Sequence, residues 1–319
     1  MSSMFTVRIM RKVQESSSVC SLELAAPDGS PLPAFEAGAH VDLEVTNGLI
    51  RQYSLCNSPL ESHRYVVGVL LDPASRGGSR AVHDLLLSGD CVRISEPRNH
   101  FALASHARHS VLIAGGIGVT PLLAMAEQLH ATQQPFALHY FARTAADFAF
   151  RERLRDAPYA AHCRFHETSR LADRASTLAA ALGAPADGTH AYLCGPDGFI
   201  DALLGLAERA GWRAASLHTE RFGKARPNEG DAAFDVQIAS SGTVCHVLAG
   251  QSVVEALEAI GVEVPVSCEQ GVCGMCLTGV LAGRPDHRDT YLTHDERARN
   301  NQFTPCCSRA LDSLLVLDL

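Results

Sequence analysis

The sequence predicts a multidomain protein made of an antiparallel β-barrel, an α/β domain on a parallel sheet and a small α+β domain. Three observations carry this. Residues 1–104 contain short β-prone runs divided by turn signals. Residues 105–225 alternate buried-strand runs with helix patterns. After a polar, breaker-rich linker at 226–233, residues 234–319 hold a strand pair, one helix, a cysteine-rich loop and a closing strand.

In the first domain the strand candidates are 5–9, 21–24, 41–45, 51–55, 65–70 and 91–94. Pro27-Asp28-Gly29, Asn47-Gly48 and Ser88-Gly89-Asp90 punctuate them, the pattern of a small antiparallel barrel. One helix interrupts it after Arg76-Gly77-Gly78-Ser79-Arg80, with Val82, Leu85 and Leu86 at helical spacing. Free backbone N–H groups in such a turn, flanked by arginines, make a candidate phosphate cradle, although a glycine pair before a helix is more often only a turn. Arg51-Gln52-Tyr53-Ser54 adds to it, because a strand turns Arg51 and Tyr53 to one face and Ser54 to the other.

In the second domain, residues 110–114 form a strand run and Gly115-Gly116-Ile117-Gly118-Val119 a turn. Thr120-Pro121 then reads as N-cap and first residue of a helix that buries Leu122, Met125, Ala126 and Leu129. This is a strand–glycine–helix nucleotide-phosphate loop in which Pro121 stands where a third glycine is usual. Strands follow at 136–141 and 190–193, the latter running into Cys194-Gly195-Pro196 and a helix with Phe199, Ile200, Leu203 and Leu204. Glu220-Arg221-Phe222 leads into the breakers.

In the third domain, strands at 234–238 and 243–247 flank Ser240-Ser241-Gly242, and a helix with the capping box Ser252…Glu255 buries Val253, Val254, Leu257 and Ile260 and stops at Gly261. Residues 314–317 supply the closing strand. Between them Cys268, Cys273 and Cys276 stand in C-x4-C-x2-C spacing, answered by adjacent Cys306-Cys307. That spacing belongs to a [2Fe-2S] cluster, whose two irons take four thiolates. A zinc site is the weaker reading, because adjacent cysteines cannot form a second C-x2-C knuckle. Gly271 and Gly274 let the loop pass close to inorganic sulfur.

Composition sets the outer limits. With 319 residues, 46% of them hydrophobic and 19% charged, the chain is long enough for two or three domains of ordinary make-up. No apolar run approaches the roughly 20 residues that span a bilayer, and Met1-Ser2-Ser3-Met4-Phe5 lacks a signal-peptide layout, so we expect a cytoplasmic protein that engages no membrane. Seven of the eleven cysteines lie outside the cluster set and are scattered, as reduced cysteine used as a small hydrophobe would be. Of the net charge of −8, residues 235–319 carry −6, from eleven acidic residues against five arginines. That balance disfavours nucleic acid and leaves a basic partner surface or a merely solvated face.

Taken together, R-x-Y-S, the G-G-S turn, G-G-I-G-V-T-P and C-G-P resemble the ferredoxin-NAD(P) reductase superfamily. Over essentially its whole length, and especially from Pro285-Asp286-His287-Arg288-Asp289 to the C-terminus, the chain resembles the phthalate dioxygenase reductase family, which includes vanillate demethylase reductases. The resemblance implies an FMN barrel with Arg51, Tyr53, Ser54, Gly77, Gly78, Ser79 and Arg80 as the flavin site. It implies NADH as donor, held by Gly115, Gly116, Gly118, Thr120, Pro121, Cys194, Gly195 and Pro196, while Arg143 leaves NADPH open. It implies catalytic contributions from Ser54, from Cys194 near the carbon that gives up hydride, and from Phe222, which also covers the flavin. The third domain becomes a β-grasp ferredoxin of plant type. Counting from Cys276 as in those ferredoxins selects Cys306, so that Cys268, Cys273, Cys276 and Cys306 hold the cluster and Cys307 is a buried neighbour.

Nicotinamide surrenders two electrons as hydride, the cluster accepts one, and flavin converts between them. The chain has no C-x-H with C-x2-H pair, no C-x-x-C-H and no H-E-x-x-H, so oxygen activation falls to another polypeptide, expected to be a terminal oxygenase of the Rieske non-haem iron type. We expect the reductase to be monomeric. Its rivals are a reductase serving a cytochrome P450, a general NADH diaphorase, which would need no ferredoxin domain, and an iron-sulfur sensor, which would need no nicotinamide loop.

Overall fold

The computed structural model describes residues 4–45, 49–73, 77–222, 230–289 and 291–319. The Asn47-Gly48 turn, Arg76 and positions 226–229 of the expected linker lie outside the described residues. The chain divides into two compact units, residues 2–222 and 223–319.

The first unit begins with β1 (Met4–Gln14), β2 (Val19–Ala25), β3 (Ala39–Glu44), β4 (Ile50–Ser54), β5 (Tyr65–Leu70), α1 (Gly78–Asp84), β6 (Cys91–Ser95) and β7 (Arg98–Asn99). All pairings are antiparallel, in the order β4-β3-β6-β1-β2-β5, with β7 beside β3. Leu55 bridges Val67, which joins the two edge strands and closes the barrel. Alternation fills it: Val7, Ile9, Leu22, Leu24, Val41, Leu43, Val67, Val69 and Ile94 all point inward and are buried. Val82 and Leu86 of the α1 region join that core, whereas Leu85, expected on the same face, is exposed. Lys12 Nζ donates to the carbonyls of Val82, His83 and Leu86 at 2.6–2.9 Å and so satisfies the end of this short helix.

The α/β part follows as β8 (His109–Gly115), α2 (Val119–Ala131), β9 (Phe136–Ala142), α3 (Arg151–Asp156), β10 (Cys163–Glu167), α4 (Arg174–Leu182), β11 (Thr189–Gly195), α5 (Asp197–Arg209) and β12 (Leu217–Arg221). The sheet is parallel throughout, in the order β10-β9-β8-β11-β12. Strand order therefore reverses between β8 and β11, and the crevice at their carboxyl ends is where such a sheet binds ligands. Edge strands β10 and β12 are additions to the sequence reading. One helix start is corrected. A 3-10 turn at Gly116–Gly118 runs straight into α2, so Gly118 is the N-cap and Thr120 lies inside the first turn, its hydroxyl donating to the Ile117 carbonyl at 2.9 Å. Pro121 is thus the third helical residue, where its missing N–H still breaks no helical bond. The barrel packs on this helix, since a Cβ at Gly68 of β5 would sit 2.8 Å from Thr120 Cγ2.

The second unit contains β13 (Phe234–Ile238), β14 (Val244–Val247), α6 (Val253–Ala259), β15 (Thr278–Ala282), β16 (Pro285–Asp286), α7 (His294–Ala298), β17 (Gln302–Phe303), β18 (Arg309–Ala310) and β19 (Leu314–Leu317). The main sheet runs β14-β13-β19-β15-β17, with the hairpin β13/β14 antiparallel and the C-terminal β19 parallel to β13. α6 starts at the expected Ser252–Glu255 capping box and buries Val253, Val254, Ala256 and Leu257 against this sheet, a β-grasp arrangement. Ile260 was expected inside but is the C-cap, 43% exposed, because the helix has already ended.

Candidate active site and cluster loop

The parallel sheet brings its two glycine turns together at the reversal point. A Cβ at Gly118 would lie 2.2 Å from the Cys194 carbonyl oxygen, so only glycine lets the N-terminus of α2 approach the end of β11. Gly115, Gly118, Cys194 and Gly195 are thereby brought together at the reversal point, with Pro196 exposed and Cys194 fully buried, whereas Thr120 and Pro121 are buried in the first turn of α2, Thr120 against Gly68 of the barrel. Burial pushes the Cys194 thiol well above its ordinary range, and nearby Glu220 adds to this, so the sulfur is a neutral, soft wall of the site rather than a thiolate.

Glu220 is the residue the sequence reading passed over. It sits on β12 in register with Cys194 and accepts a 3.5 Å hydrogen bond from the Ser54 hydroxyl at the end of β4, so barrel and sheet meet at this point. Desolvation raises its carboxyl to about 8, with the Ser54 bond pulling the other way. A carboxyl that is partly protonated near neutrality, beside a serine and a neutral thiol at a nucleotide crevice, is a candidate acid-base group. Phe222 follows two residues later and is 41% exposed. Arg221 fixes the strand end that carries it, binding Asp197 at 3.2 Å and Asp201 at 2.6 Å on α5.

The predicted flavin residues gather at the other side of β4. Arg51 packs over the start of α1 so closely that a Cβ at Gly78 would lie 2.8 Å from its Nε, and Gly77 precedes it with φ +100. The Ser79 hydroxyl accepts from the Asp72 amide at 3.1 Å, Arg80 is exposed, and Tyr53 packs beside the barrel core, where burial raises its phenol. An arginine laid against a glycine-serine turn, with a phenol and a hydroxyl on the same strand, matches the donor set of a phosphorylated ring system. These residues fit FMN.

The cluster loop passes the corresponding test. The Cys268 and Cys273 thiols are close enough to perturb each other's proton affinity, and Cys306 is perturbed by both Cys276 and Cys307. Backbone amides already aim at sulfur, Gln270 N–H at Cys268 at 3.3 Å and Met275 N–H at Cys273 at 3.4 Å. Among the described residues no three His, Cys, Asp or Glu side chains gather around one ion. Cys268 with Cys273, and Cys276 with Cys306 beside Cys307, are enough thiols for two irons that each take two thiolates. Cys307 is buried among Thr304 and Ser308. The glycines differ in purpose from the sequence reading: a Cβ at Gly271 would meet Cys307 Sγ at 2.4 Å and Asp289 Cα at 2.8 Å, and one at Gly274 would meet the Tyr291 ring at 2.2 Å.

A barrel joined to a parallel nucleotide sheet, with a separate cysteine-paired β-grasp unit, defines an iron-sulfur reductase of the pyridine-nucleotide type. The comparisons agree. The family model for the 2Fe-2S iron-sulfur cluster binding domain matches residues 236–311, and that for the N-terminal domain of dimethylamine monooxygenase subunit DmmA-like proteins matches 94–217. The chain is 51% identical over 98% of both chains to a vanillate O-demethylase oxidoreductase of Pseudomonas sp. strain HR199. It is 38% identical to the phthalate dioxygenase reductase of Burkholderia cepacia, over 98% of this chain and 97% of that one. The solved structure of a phthalate dioxygenase reductase, described as modular for electron transfer from pyridine nucleotides to [2Fe-2S], superimposes with a TM-score of 0.76 at 37% identity, over 99% of this chain and 98% of that one. The chain belongs to the phthalate dioxygenase reductase family of oxidoreductases. Among the described residues no helix is long and apolar enough to cross a membrane.

Proposed function

We infer that this chain is the NADH-dependent reductase component of an aromatic-ring oxygenase or O-demethylase system. The observation that carries the reading is the convergence of Ser54, Cys194 and Glu220 at the crevice where the two glycine turns meet, in a chain that also pairs Cys268 with Cys273 and Cys276 with Cys306. Bound FMN supplies the conversion of a hydride pair into single electrons, and the bound [2Fe-2S] cluster passes them on one at a time. Gly115, Gly116 and Gly118 bring backbone amides to the nicotinamide nucleotide's phosphates. Cys194 and Gly195 form a neutral wall for its ring, Ser54 and Glu220 hold a proton beside the reacting ring, and Phe222 shields that ring from water. Arg51, Tyr53, Gly77, Gly78, Ser79 and Arg80 bind the flavin through its phosphate and ring edge.

The partner is an oxygenase component on a separate chain, and its Rieske type and the monomeric state of the reductase are part of the proposal. Relatives named for vanillate demethylation and phthalate dioxygenation support a separate oxygenase partner. Anaerobic NADH should bleach the flavin and then reduce the cluster in the purified protein, and a cognate Rieske oxygenase added to it should turn over. Cluster reduction without any transfer to such an oxygenase would sink the partner assignment, and an elution volume of a dimer would sink the monomer.

A further inference from the structure

A hydride is a proton carrying two electrons. If both electrons leave singly for an acceptor, one NADH and two oxidised one-electron acceptors yield NAD+, two reduced acceptors and one proton, and that proton needs its own exit. Such an exit is required only if the chain has the function proposed above. Glu220 is the candidate acid-base group at the crevice, half-buried at the end of β12 and bonded to Ser54 of the barrel.

The sheet face that carries Glu220 also carries a file of imidazoles. His218 precedes Glu220 by two residues on β12 and shares its face, with Cα atoms roughly 6.6 Å apart at the usual strand rise. His218 Nε2 lies 2.9 Å from His190 Nδ1 on β11. The His190 ring in turn meets the His106 ring edge-on at 4.8 Å. His218 is half-buried, His190 is buried at 4% exposed and His106 is exposed, so the file passes through the buried His190 to solvent. Tyr192 stacks on His218 at 4.6 Å and 11°, and its hydroxyl is fixed by the Ala104 amide at 2.7 Å, which sets the plane of the His218 ring.

We propose that His218, His190 and His106 form the proton path between Glu220 and solvent, entered from the carboxyl directly or through one water. Burial, then mutual repulsion, lowers the proton affinity of His190 and His218, so both rest neutral. A neutral imidazole accepts a proton on one nitrogen and releases one from the other, which is what a relay requires.

The test uses the full chain loaded with FMN and cluster, with cytochrome c as acceptor in weak buffer. His190→Phe keeps the ring volume and removes the relay, and should slow turnover about tenfold, with added imidazole restoring most of it. The exposed His106→Ala variant, which threatens the fold least, should lose about threefold and be rescued likewise. Wild-type turnover in both variants, or a loss that imidazole leaves untouched in both, overturns the path. A readout free of turnover comes from flavin-stripped protein: the ring nitrogens of His218 should show an inflection near 8 by nitrogen NMR that vanishes in Glu220→Gln, and its persistence would break the link. Glu220→Gln separates the two readings. Hydride transfer at the wild-type rate in that variant overturns the assignment of the site, whereas slowed transfer combined with an unaffected His190→Phe overturns the path alone.

Discussion

At Glu220 burial and a single serine pull in opposite directions, and burial wins. Its carboxyl titrates near 8 in the fold and near 4.5 outside it, so between those values the folded chain holds a proton that the unfolded chain has lost. Stability is therefore fullest below about 4.5, declines as pH rises and has lost this contribution above about 8, on the order of 5 kcal/mol at most. Glu220→Gln, which cannot ionise, should unfold at a temperature that depends less on pH, with its gain over wild type larger at pH 9 than at pH 5. Equal pH profiles by differential scanning calorimetry would show that the carboxyl is not desolvated. Ser54→Ala removes the one hydrogen bond that lowers this carboxyl, so its titration should move further up. Stopped-flow reduction by NADH should slow about tenfold while NADH affinity changes little, as expected when a group acts mainly in the transition state.

At the scale of elements, the cluster loop separates two glycines that look equivalent in sequence. Both have positive φ, +75 at Gly271 and +69 at Gly274. Gly271 faces backbone and a buried sulfur, which cannot move, whereas Gly274 faces the ring of Tyr291, 46% exposed and able to swing away. Gly274→Ala should cost about 1 kcal/mol of backbone strain and keep its iron, while Gly271→Ala should lose most iron and labile sulfide after reconstitution. Similar metal content in the two variants would refute the contrast. The same scale explains what sequence revealed. The apolar runs of β8, β9 and β11 are central strands buried on both faces and read clearly. β10 and β12 lie at the sheet edges and carry Arg164, His166 and Glu167, or His218, Thr219 and Glu220, which erase that signature. The cysteine spacing was legible because three of the cysteines lie in one loop. The contact of Ser54 with Glu220 was not, since 166 residues separate them and only the packing of barrel on sheet brings them together.

For the whole molecule, the division at residue 222 has functional consequences. The residues proposed to serve hydride transfer, Arg51, Ser54, the glycine turns, Cys194, Glu220 and Phe222, belong to the first unit, and the four thiols proposed to hold the cluster belong to the second. The charge is divided just as unevenly, with −6 of the total −8 between residues 235 and 319. Attraction of that face to a basic acceptor acts over about a Debye length, so transfer to the oxygenase should slow as salt rises while NADH oxidation by neutral dyes stays level. A chain ending at Phe222 should fold around its own closed barrel and parallel sheet, bind flavin and reduce ferricyanide at close to the full-length rate. It should lose at least about nine-tenths of cytochrome c reduction, because the one-electron exit is gone. Cytochrome c reduction at the full-length rate by the shortened chain would mean that electrons leave directly from the flavin, and the order of the relay would have to be redrawn.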